Sequence, residues 1–133
     1  MAHAIIEYSA NMEAKIDLDG LIDCIHAACI ETGVFPLSGM RTRAARRDHF
    51  KLADGNPDAG FFHLVLKIGP GREEEVKLNA MNHIFDAFHD FIKPVFETSP
   101  MLTSIEVFEL PPELRINKNH IKEYLEPEAT AAE

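Results

Sequence analysis

The chain opens on apolar positions. AHAIIEYS carries Ala2, Ala4, Ile5, Ile6 and Tyr8 in a stretch that is partly β-branched, and it predicts a strand starting at the second residue. Asn11 to Ile16 breaks this pattern and reads as a connection. Asp17 or Asp19 can cap a helix that runs to about Thr32. Leu21, Ile25, Ala28 and Cys29 form its apolar stripe at helical spacing, and Gly33 stands where a C′ residue ends a helix. GVFPLSG then leads into a second strand, Met40 to about Arg46. Asp48 to Gly60 is read as irregular, because ADGNPDAG is dense in turn formers.

The same order follows again. FFHLVLKI is apolar at most positions, as a strand is when both faces are covered, and its His63 reads as a satisfied core histidine. GPG is a turn. Arg72 to about Phe96 predicts a long helix with Val76, Ala80, Ile84, Phe88, Phe91 and Val95 along one side. Glu73, Glu74 and Glu75 fall in its first turn, where the helix dipole favours negative charge, and Pro94 is expected to kink or end it. Leu102 to Glu109 is a fourth strand, stopped by PPEL. INKNHIKEYL reads as a short terminal helix, and EPEATAAE as a disordered tail.

Strand, helix, strand therefore occurs twice, about sixty residues each time, with negligible identity between the halves. Two right-handed β-α-β units give an α+β fold: a four-stranded mixed sheet with two helices on one face. Residues 1–125 form a single domain on this reading, and 126–133 a tail. The other sheet face is left bare, which points to a homo-oligomer.

Composition narrows the function. A net charge of −9 argues against nucleic acid as a partner. No apolar run reaches the roughly 20 residues of a membrane helix, and the opening segment lacks the basic start of a signal peptide. Cys24 and Cys29 lie on different sides of one predicted helix, so a reduced, cytoplasmic protein without an internal disulfide is the simplest expectation. The seven histidines make no HExxH pattern, and no CxxC, GxSxG or P-loop occurs, so neither a metal nor a cofactor is expected. GPGR precedes a helix, where an anion can bind, but the signal is weak alone and a tight turn into the helix is the favoured reading.

The arginines are more informative. Arg41, Arg43, Arg46 and Arg47 are four of only 13 basic residues and crowd into one strand. Arg41 and Arg43 face the same side about 6–7 Å apart, a separation that suits a ligand with two carboxylates. A solvated strand face, or ion pairs with the surplus Asp and Glu, fits the same residues.

Several segments together resemble the 5-carboxymethyl-2-hydroxymuconate isomerase family of the tautomerase superfamily: AHAIIEYSAN, DLDGL, TGVFPLSGMRTR, LADG, FFHLVLKIGPGR and SIEVFELPPELRINKNHI. The likeness runs over about residues 2–125. It implies a tautomerase-like double β-α-β unit, a homotrimer, and a keto-enol proton transfer in aromatic-acid breakdown. The base in that family is the amine of an N-terminal proline exposed by loss of the initiator methionine. Here that position holds Ala2, whose α-amine, once Met1 is removed, has a reference pKa of about 7.7–8.0. By position, His3, Arg41, Arg43 and Arg72 match the family's substrate-binding residues, and the implied substrate is a small anionic di- or tricarboxylate. The alternative is a homotrimeric ligand-binding homologue, inactive or weakly active for want of the proline.

Overall fold

A computed structural model describes residues 2–126. Its elements run β1 (Ala2–Ser9), a 3-10 segment (Ala10–Lys15), α1 (Leu18–Glu31), β2 (Met40–Arg47), β3 (Gly60–Ile68), α2 (Glu74–Thr98) and β4 (Met101–Glu109). The strands form one sheet in the order β2-β1-β3-β4. β1 runs parallel to β2 and antiparallel to β3, and β3 runs parallel to β4, so the sheet is mixed and each half is a β-α-β unit.

Alternation along the strands sorts the residues to two faces. Ala2, Ala4, Ile6 and Tyr8 of β1 and Phe62, Leu64, Leu66 and Ile68 of β3 are buried. They form one core with Leu21, Ile25, Ala28 and Cys29 of α1 and with Ala80, Ile84, Phe88 and Ile92 of α2. Both helices thus lie on one side. Burial of each large side chain in this layer contributes about 1.5–3 kcal/mol. The opposite face carries His3, Ile5 and Glu7 beside Arg41, Arg43 and Arg47, and Phe61, His63, Val65 and Lys67 beside Leu102, Ser104, Glu106 and Phe108. Among the described residues no helix or strand covers that face, and Leu102 and Phe108 are exposed on it.

Local signals explain the helix ends. Asp17 caps α1, its Oδ1 accepting from Gly20 N at 3.1 Å. Gly33 follows the Thr32 cap with φ of +69°, a left-handed conformation that glycine adopts without penalty.

Several expectations need correction. His63 is not in the core. Its odd position in β3 puts it on the open face, where Nδ1 meets Ser104 Oγ at 2.6 Å and Nε2 meets Glu106 Oε1 at 2.9 Å. Pro94 does not end α2, which continues to Thr98. The carbonyl that loses its donor belongs to Asp90, which is exposed, so water can serve it. Val76 is exposed rather than part of the apolar stripe. Asn11 to Lys15 is not a plain connection but part of the 3-10 segment, and INKNHIKEYL forms only a 3-10 turn at Ile121–Tyr124. Of the expected tail, residues 127–133 lie outside the described residues.

Candidate active site

One end of the sheet gathers the residues that the sequence singles out. Ala2 begins β1 and is flanked by Met40, at the start of β2, and by Ile68, at the end of β3. The turns 33–39 and 69–73 therefore meet around residue 2. His3 is the strand neighbour of Arg41, and Ile5 that of Arg43, all on the open face.

The four arginines of β2 separate into two kinds. Arg46 is ion-paired to Glu13 at 2.5 Å and to Asp48 at 2.8 Å, and Arg47 to Glu7 at 2.7 Å. All three pairs lie toward the far end of the strand, and Glu13 also accepts from Tyr8 Oη at 2.5 Å. Burial and this bond to a carboxylate push the Tyr8 hydroxyl up to about 12. Arg41 and Arg43, by contrast, pair with no carboxylate among the described residues. Arg41 Nε makes only a long 3.5 Å contact with Gly39 O, and Arg43 Nη1 meets His3 Nδ1 at 3.1 Å. Arg46 and Arg47 are thus ion-paired, whereas Arg41 and Arg43, the two arginines nearest residue 2, are exposed and have no carboxylate partner among the described residues.

His3 reports the local field. Its pKa is lowered from 6.5, first by burial and then by the charges of Arg41, Arg43 and Lys67. A guanidinium can only donate, so Nδ1 accepts from Arg43 and the ring proton of neutral His3 sits on Nε2.

Arg72 behaves differently again. Its Nη1 donates to Gly69 O and its Nη2 to Val34 O, each at 3.0 Å. The guanidinium lies 5.4 Å from the centre of the Phe35 ring. Arg72 therefore ties the turn after β3 to the turn before β2, and both of its terminal nitrogens are engaged.

A cleft of about 250 Å³ opens beside these residues, lined by Met40 and Arg41 on one side and by Asn117, Lys118 and Asn119 on the other. This wall is not legible in the sequence, because the 110–126 segment has no periodicity that would assign it a partner. A larger hollow of about 470 Å³ lies on the open sheet face between Ile5, Val65 and Phe108. Among the described residues, no three His, Cys, Asp or Glu side chains are grouped to hold a metal. No helix among them is long and apolar enough to cross a membrane.

Comparison with known proteins agrees with this fold. The family model for 5-carboxymethyl-2-hydroxymuconate isomerase matches residues 2–125. The chain is similar to the 5-carboxymethyl-2-hydroxymuconate Delta-isomerase of Escherichia coli, 34% identical over 121 residues that cover 91% of this chain and 96% of that protein. It superposes on a crystal structure of a 5-carboxymethyl-2-hydroxymuconate isomerase from Deinococcus radiodurans R1 with a TM-score of 0.85 and 30% identity, over 94% of this chain and 95% of the other. A fused 4-OT described as a symmetric trimer shares the fold alone, with a TM-score of 0.60 and 16% identity over 85% of this chain and 91% of that one. With four strands, two helices on one face and a family match along almost its whole length, the chain belongs to the 5-carboxymethyl-2-hydroxymuconate isomerase family and is an isomerase of the tautomerase fold.

Proposed function

We propose that this isomerase converts 5-carboxymethyl-2-hydroxymuconate, or a close 2-hydroxymuconate, to its oxo isomer, with the α-amine of Ala2 as the proton carrier once Met1 is removed. The amine takes the proton of the dienol hydroxyl and returns one to a carbon of the conjugated chain, so the reaction is redox-neutral and needs no cofactor. A base works best when its pKa lies near the operating pH. A free α-amine starts at about 7.7–8.0, and neighbouring cations lower it further. The observation that carries the reading is the positive field beside residue 2: Arg41 and Arg43 lack carboxylate partners among the described residues, and after burial, the larger cause, they and Lys67 lower the pKa of the adjacent His3.

In this scheme Arg41 and Arg43 bind two substrate carboxylates and stabilise the negative charge that develops on the dienolate oxygen. His3 holds Arg43 in place and offers its Nε2 proton to the substrate. Arg72 adds positive charge and braces the turns around residue 2. A primary amine is less rigidly aimed than a pyrrolidine nitrogen, so turnover is slower than a proline base at the same position would give.

The same reading makes the protein a homotrimer in which the open sheet faces meet. What supports this is the uncovered face with Ile5, Phe61, Val65, Leu102 and Phe108, and a likeness of fold to a protein described as a symmetric trimer. Residues of β2 then reach a neighbour's residue 2. A reduced, cytoplasmic setting fits Cys24 and Cys29, both free and both with pKa values raised by burial.

The test is a steady-state assay of ketonisation of 5-carboxymethyl-2-hydroxymuconate, followed by loss of dienol absorbance, on protein whose intact mass establishes the N-terminal residue. Saturable turnover above the solution rate, rising with pH through an amine titration near neutrality, is expected. A rate equal to the solution background would favour the binding homologue without catalysis.

A further inference from the structure

The cleft beside Met40, the strand neighbour of residue 2, has a second cation that the arginine pair does not account for. Lys118 lines it together with Arg41. Among the described residues, Lys118 makes no ion pair. The chain holds it there by fixing its neighbour: Asn119 Nδ2 donates to Ser38 O at 2.9 Å, and Asn119 Oδ1 accepts from Ile121 N at 2.9 Å. The first bond docks the segment after β4 against the turn before β2. The second closes a local turn at the same residue. Lys118 is therefore carried on a pinned stretch of backbone, and it shares one chain with Arg41, so the two stay together however the subunits assemble.

A 2-hydroxymuconate has two carboxylates, and its 5-carboxymethyl derivative has three. Arg41 and Arg43, two apart on one strand face, match two of them. We propose that Lys118 is a further substrate-binding residue that takes a third carboxylate and thereby sets the preference of the site for a tricarboxylate over a dicarboxylate. This rests on the isomerase reading above and adds the residue that selects the substrate class. A lysine suits the role because its ammonium is a point charge on a flexible stem and can follow a carboxymethyl arm, whereas the paired guanidinium groups fix the planar part of the ligand. An ion pair across a half-open cleft weakens with salt, so the contribution is largest at low ionic strength.

The experiment uses stable saturated analogues that cannot tautomerise: hexanedioate for the dicarboxylate and 2-(carboxymethyl)hexanedioate for the tricarboxylate. Binding of both to the full chain is measured by calorimetry at low ionic strength for the native protein, Lys118→Ala and Lys118→Arg. Lys118 is exposed, and a thermal melt of each variant verifies the fold. The native protein is expected to prefer the tricarboxylate. Lys118→Ala should weaken the tricarboxylate by about tenfold and leave the dicarboxylate within about twofold, and Lys118→Arg should restore most of the loss. If Lys118→Ala weakens both ligands equally, or neither, the assignment of Lys118 is overturned while the isomerase reading stands. If the native protein binds neither ligand, the reading of Arg41 and Arg43 as a carboxylate site fails, and the Lys118 assignment with it.

Discussion

Replacing Arg41 by alanine separates a ligand-binding cluster from a solvated strand face. Arg41 is exposed, its one internal bond is a 3.5 Å contact to Gly39 O, and no carboxylate among the described residues pairs with it. Its loss leaves no buried group without a partner, so the cost to folding should stay within about 0.5 kcal/mol. The cost to binding is larger. A charge-assisted hydrogen bond to a carboxylate contributes about 1.5–3 kcal/mol. At about 1.4 kcal/mol per decade, the dissociation constant for a dicarboxylate such as hexanedioate should rise by about one to two orders of magnitude. Arg46 is the control. It lies five positions further along β2, about 16 Å away, and is already paired to Glu13 and Asp48. Arg46→Ala removes the same formal charge but should leave the affinity within about twofold. Calorimetric titration of the native protein and the two variants at one ionic strength gives all three constants. Equal weakening by both substitutions would reduce the effect to net charge, and an unchanged affinity in Arg41→Ala would make the cluster a solvated face.

Two further outcomes follow from the same geometry. Light scattering at micromolar concentration should give three times the chain mass, and a monomer mass would mean that the open sheet face is not an interface. His3 should titrate below 6.5 in NMR, because burial and then Arg41, Arg43 and Lys67 oppose its protonation. Its contribution to stability is therefore complete above 6.5, the unfolded value, and is lost as pH falls through the lowered folded value. Arg41→Ala should move the titration back up toward 6.5, and a native value at or above 6.5 would contradict the positive field inferred beside residue 2.

Much of the fold is legible along the chain because its signals are local. The α1 stripe of Leu21, Ile25, Ala28 and Cys29 is buried as its spacing predicts, and Asp17 and Gly33 bracket that helix through capping chemistry visible in the sequence. His63 was misplaced because β3 is apolar on both faces. Phe61 and Val65 share its side, so composition hides the parity that puts Phe62 and Leu64 in the core. What sequence cannot supply is long-range register. That His3 stands beside Arg41, that Arg46 and Arg47 are neutralised by Glu13, Asp48 and Glu7 while Arg41 and Arg43 are not, and that Lys118 lines one cleft with Met40 and Arg41 all depend on contacts between distant segments. Arg72 shows the same limit, since its bonds to Val34 and Gly69 join turns that are far apart in the chain.

The central claim is that residue 2 carries the proton on its backbone amine, and Ala2→Pro tests it most directly. Proline is tolerated at the first residue of a strand, so the change is structurally mild. It supplies the secondary amine and leaves Arg41, Arg43 and Arg72 untouched. Steady-state ketonisation of 5-carboxymethyl-2-hydroxymuconate is measured for both proteins, with mass spectra establishing that each begins at residue 2. Low but saturable turnover is expected for the native protein, following an amine near neutrality, with a clear rise in rate for Ala2→Pro. Equal background rates for the two proteins would contradict it, because the site would then lack more than its base.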